Sequence, residues 1–70
     1  MKLLIVVEPT ASGFSAYAPD LSGCVATGPT HEAVEQIMSE AIAFHLEGLR
    51  LEGMSVPEAH AYATVVEVAA

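Results

Sequence analysis

Few side chains in this sequence could do chemistry, and they are scattered. Asp20 is the only aspartate, and it sits in Pro19-Asp20-Leu21-Ser22-Gly23, where a turn role is sufficient explanation. Ser12, Ser15, Ser22, Ser39 and Ser55 lack the Gly-x-Ser-x-Gly elbow that would present a hydroxyl nucleophile. Cys24 is the single cysteine, so no disulfide can form within the chain. It falls in an apolar stretch with no histidine or basic residue beside it in sequence to favour the thiolate, so a small hydrophobic role is expected over a reactive thiol. The three histidines, His31, His45 and His60, combine with Cys24 in no zinc-ligand spacing. His45 falls among apolar residues at helical spacing. It could serve as a ligand or general base, but a packed ring with one nitrogen hydrogen-bonded is the favoured reading. Gly13, Gly23 and Gly28 are single and separated, so no loop is built to cradle a phosphate. The expectation is a protein that is not an enzyme, with no metal and no cofactor.

Composition narrows the remaining classes. At 70 residues there is room for one domain, spanning 1–70. Such a small domain buries only roughly 60% of its unfolded surface, so its stability margin is thin. Disulfides and metals being absent from the pattern, oligomerisation or partner binding is the expected aid. Apolar residues make up 53% of the chain, yet the longest aliphatic run, Leu3 to Val7, is far too short to span a membrane. Met1-Lys2-Leu3 leads directly into a strand pattern and is not a signal peptide, so a cytoplasmic location is expected. Net charge is −7, with Lys2 and Arg50 as the only fixed cations. Two cations cannot form the basic stripe that nucleic acid requires, which argues against direct DNA or RNA binding. An acidic surface favours a basic protein partner, though it also serves solubility alone.

The elements that position these residues follow from periodicity. Lys2 to Glu8 predicts a strand that is apolar on both faces, Leu3/Ile5/Val7 and Leu4/Val6, the mark of a central strand. Pro9 to Gly13 is a turn, with Gly13 available for a positive φ. Phe14 to Ala18 returns as the second strand of a hairpin, and Cys24 to Thr27 makes a short third. Thr30 is a helix N-cap, with Glu32 and Glu35 where the helix dipole welcomes negative charge. The helix runs from about His31 to Glu52, with Val34, Ile37, Met38, Ala41, His45 and Leu49 in one stripe. Gly53 and Pro57 end it. Ala61 to Val68 predicts a final strand, with a prolonged helical turn over His60 to Ala63 as the alternative.

The order is β-β-β-α-β. A right-handed crossover would deliver the last strand beside the first, giving an α+β fold with one helix on a four-stranded mixed sheet of order 3-2-1-4. One helix covers only one sheet face. The other face, or the final strand's edge, is expected to meet a second copy or a partner.

Gly13-Phe14-Ser15-Ala16-Tyr17-Ala18-Pro19-Asp20-Leu21-Ser22-Gly23-Cys24 resembles the segment characteristic of HicB-like antitoxins: a Gly-aromatic strand start, then Pro-Asp-Leu-Pro-Gly-Cys, then a Thr-Gly step into a helix. Ala26-Thr27-Gly28-Pro29-Thr30 supplies that step. Glu40-Ala41-Ile42, Leu46-Glu47-Gly48-Leu49, Gly53 and Val56-Pro57 continue the likeness over nearly the whole chain. Ser22 stands where the family usually has a second Pro, and Ala33-Val34 where Glu-Ala is usual. Many family members continue into a DNA-binding helix-turn-helix or ribbon-helix-helix. This sequence ends at Ala70, so regulation through operator DNA is not expected.

The resemblance implies a partial ribonuclease-H-like fold without that enzyme's chemistry, which needs clustered carboxylates around divalent metal. It also implies a function: masking HicA, a small basic mRNA-cleaving toxin with a double-stranded-RNA-binding-like fold. The competing expectation is a solitary homo-oligomeric module with a structural or interaction role. No residues are assigned to partner binding at this level.

Overall fold

The computed structural model describes residues 1–70. The chain starts with an antiparallel hairpin of β1 (Val6–Pro9) and β2 (Phe14–Tyr17), followed by β3 (Val25–Gly28) on the far side of β2. Pro9 has no N–H to continue the ladder, and the turn closes through the Thr10 N–H donating to the Gly13 carbonyl at 2.8 Å. Gly13 is required for a different reason from the one expected. Its φ is not positive; instead a Cβ there would collide with the Gly28 carbonyl, so a glycine lets the β1–β2 turn lie against the end of β3.

Register sorts the side chains onto two faces. Val7, Ala16 and Ala26 form one cross-strand row, and the buried Ala16 marks it as the face under the helix. Val6, Tyr17 and Val25 form a row on the opposite face, beside the polar row Glu8, Ser15 and Thr27. The uncovered face is therefore apolar at one end only.

The helix α1 (His31–Leu51) begins where Thr30 Oγ1 accepts the Ala33 N–H at 3.0 Å, with Glu32 in the first turn. It ends in a Schellman arrangement: the Gly53 N–H donates to the Arg50 carbonyl at 3.1 Å and the Met54 N–H to the Leu49 carbonyl at 2.8 Å. Gly53 takes a φ of 69°, which a side chain would oppose. Small residues set the depth of packing. Gly28 lies so close to the first turn that an added Cβ would come within 2.8 Å of the Val34 nitrogen. The core beneath comprises Ala16, Ala18, Leu21, Cys24, Val34, Met38 and Leu46. Leu21 is carried there by the β2–β3 loop, folded tightly by its N–H donating to the Ala18 carbonyl at 3.0 Å.

Three expectations change. The buried helical face is turned from the predicted stripe. Val34, Met38, Leu46, Ile42 and Leu49 face the core, while Ile37 is exposed and His45 only half-buried. The helix overhangs the outer side of β3, where there is no further strand to receive Ile37. Next, the first strand is paired only from Val6, and it is an edge strand, not a central one. The sheet has three strands in order β1-β2-β3; the fourth strand expected over Ala61–Val68, and with it the order 3-2-1-4, is not formed. Residues beyond Met54 make no backbone–backbone hydrogen bond, and the chain after Ala61 is exposed throughout. A strand needs a neighbouring ladder, and this segment leaves the body without reaching one.

Candidate partner-binding surface

The residues able to do chemistry are kept apart by the fold. Cys24 is buried in the core as a small apolar side chain. His31 is on the first helical turn, its Nδ1 3.3 Å from Glu35 Oε2 and its ring edge-on to Phe14 at 4.6 Å between centroids. His60 is exposed beside Glu58, Nε2 to Oε2 3.5 Å. His45 borders a shallow open depression together with Cys24, Val25, Ala41, Phe44 and Gly48. No three His, Cys, Asp or Glu side chains are grouped closely enough to share a metal ion.

Asp20 does more than make a turn. Its Oδ2 accepts the Ala61 N–H at 3.0 Å and the His60 N–H at 3.1 Å, with Oδ1 3.3 Å from the Ala61 nitrogen. One carboxylate thus ties the β2–β3 loop to a point forty residues further along the chain. Charge-assisted bonds to backbone N–H groups are among the stronger hydrogen bonds. No local pattern signals this contact; the only clue in the sequence is an acidic residue in a loop that a small polar residue could equally have turned.

Surface character is concentrated on α1. Ile37, Phe44 and Leu51 are spaced seven apart, so they stack along one line of the helix, and all three are exposed, Phe44 by 83% and Leu51 by 79%. At 100° per residue, Glu40 and Glu47 fall immediately alongside that line, on the side away from the sheet. On the sheet side, the depression next to Phe44 reaches Gly23 and Cys24, at the entry to β3. An apolar ridge with carboxylates along its outer flank results.

Those carboxylates form no salt bridge. The close contacts of acids with basic side chains are His31–Glu35 and His60–Glu58, and neither Lys2 nor Arg50 engages an acid. A second open groove lies on the other side of the helix. Its walls are Met1, Leu3 and Ile5 from the N-terminal segment and Glu35, Ser39, Ile42 and Leu46 from α1, around a volume of about 250 Å³. The helix is thus flanked by open, partly apolar space along both sheet edges. No helix is long and apolar enough to cross a membrane.

Residues 3–69 match the family described as HicB_like antitoxin of bacterial toxin-antitoxin system. Among solved structures, a chain of the HicA3 and HicB3 toxin-antitoxin complex superposes with a TM-score of 0.63 at 35% identity, over 77% of this chain and 66% of that one. This chain therefore spans just under two thirds of that relative's length. No curated protein matches. The family match takes in the whole strand–strand–strand–helix body. The chain belongs to the HicB-like antitoxin family of bacterial toxin–antitoxin systems.

Proposed function

We propose that this chain is an antitoxin module that binds and masks a small basic toxin of HicA type, acting by occlusion and not by catalysis. The observation that carries the reading is the α1 ridge: Ile37, Phe44 and Leu51, exposed in one line and flanked by Glu40 and Glu47, neither of which is in a salt bridge. Burying one such side chain contributes about 1.5–3 kcal/mol, and large residues at an interface centre dominate affinity. The flanking carboxylates steer a basic protein toward the ridge, while desolvation of the ridge sets how long it stays. The chain acts in the cytoplasm as one unit, where an mRNA-cleaving toxin would work, and makes no direct contact with nucleic acid. With −7 net charge, it would instead compete with RNA for a basic surface.

The test is inhibition of RNA cleavage by any small basic protein encoded beside this chain. Wild type is expected to suppress cleavage at equimolar ratio. Phe44→Asp, at an exposed position that leaves the core untouched, is expected to weaken binding about 100-fold or more. Equal inhibition by wild type and Phe44→Asp would remove the ridge from the reading. Absence of any complex with that neighbour would remove the toxin.

A further inference from the structure

The first strand presents a contradiction in physical terms. Leu3 to Val7 is apolar on both faces and carries no charge, a pattern of strands flanked on both sides. Exposed edges normally carry lysine, proline or a bulge to discourage pairing. Here β1 is an edge strand whose second half carries Glu8 and Pro9, but the run leading into it, Leu3 to Ile5, has neither charge nor proline, and the groove between Leu3, Ile5 and Ile42 beside it is unfilled.

The C-terminal segment has the complementary deficit. Tyr62-Ala63-Thr64-Val65-Val66-Glu67-Val68 is rich in strand-forming residues, yet Val65 is 97% exposed and none of its backbone groups bonds to another. Asp20 holds the chain at His60 and Ala61, so the segment beyond leaves from a fixed point. Its effect on shape is measurable. The radius of gyration is 14.0 Å, where a compact chain of this length would have roughly 11 Å. The accessible surface is 5327 Å², against roughly 4,200 Å² for a compact monomer of this mass. The excess, about 1,100 Å² per chain, is of the size that one partner buries in a stable protein–protein interface.

We infer that residues 62–68 of one copy pair with the free edge of Leu3–Val7, the run that leads into β1, in a second copy, and reciprocally, so that each three-stranded sheet gains its fourth strand from its partner. Two deficits in one chain are met by two copies. The exchange is isologous, with the same segment and the same edge used twice, and it closes at a dimer. Inward-facing residues of the incoming strand fill the groove over Leu3 and Ile5. This surface lies along the β1 edge of the helix, whereas the Ile37–Phe44–Leu51 ridge lies along the β3 edge, so the dimer leaves the toxin-facing ridge open.

The experiment is light scattering on the full chain at roughly 100 µM, well above a micromolar dissociation constant, combined with amide hydrogen exchange. Wild type is expected at twice 7.3 kDa, with the amides of residues 62–68 protected. Val66→Pro removes a ladder donor from a segment outside the core, and is expected to give a monomer with unchanged helix content. In dimers reassembled from differently labelled chains, contacts between Leu4 and Val66 are expected across chains. A wild-type monomer would overturn the inference, as would a dimer whose 62–68 amides exchange freely. So would Leu4–Val66 contacts confined to one chain. Loss of the dimer on Phe44→Asp but not on Val66→Pro would assign self-association to the α1 ridge instead.

Discussion

The same substitution, glycine to alanine, should move stability in opposite directions at two positions of this chain. At Gly28 the new Cβ meets the Val34 nitrogen at 2.8 Å, its Cα at 3.0 Å and its Cβ at 3.2 Å. All three atoms belong to the first turns of α1, and Val34 is fully buried, so relief requires shifting the helix off the sheet. Overpacking of this kind costs about 1–3 kcal/mol. At Gly48, inside the helix, an added Cβ meets nothing within 4 Å. Alanine there removes the entropic penalty of a helical glycine and contributes about 0.5–1 kcal/mol. A 70-residue domain has roughly 4–10 kcal/mol in total, so either change is a visible fraction. Each kcal/mol shifts Tm by about 4–8 °C at this size. Thermal denaturation followed by circular dichroism, at one chain concentration because self-association raises Tm, should place Gly28→Ala about 10 °C below wild type and Gly48→Ala a few degrees above it. If Gly28→Ala melts with wild type, or Gly48→Ala falls as far as Gly28→Ala, the close approach of helix and sheet is not what positions α1.

Two further outcomes follow from single contacts. Thr30→Ala loses the side-chain acceptor for the Ala33 N–H and should lower the urea-derived stability by about 1 kcal/mol, with Thr30→Ser restoring most of it. Asp20→Ala should release the amides of His60 and Ala61, raising their hydrogen-exchange rates about tenfold or more while the β2–β3 ladder keeps its protection; unchanged rates at those two amides would show that the carboxylate does not hold the tail.

Local signals in the sequence carried well into the structure. Thr30 capping, the Gly53 stop and the Phe14 strand start each depend on residues within a few positions of one another, and each element begins or ends there. The helix face was legible only approximately, because periodicity finds an apolar arc but not which part of it the sheet will cover. Ile37 and Phe44 belong to that arc and stay outside, since β3 is the last strand on their side. The Asp20 clamp was illegible for a different reason: its partners are backbone N–H groups forty residues away, which have no identity to read. Ala61–Val68 has a strand-forming composition, yet the strand it predicts is not formed. Pairing, however, is a property of two segments, and a one-dimensional pattern records a strand's preference without naming the edge that satisfies it.

The run from Tyr62 to Val68 contains neither Pro nor Gly, is dominated by aromatic and β-branched side chains, and carries a single charge, Glu67. That is also the composition of segments that stack without limit into fibrils. A reciprocal exchange consumes both tails and both edges, whereas a head-to-tail one leaves one of each free and grows. On a freshly made chain, before any partner arrives, Glu67 is the one side chain in that window whose like-charge repulsion opposes in-register stacking. Were the tails to exchange as inferred, that single carboxylate would stand between a closed pair and an open-ended polymer.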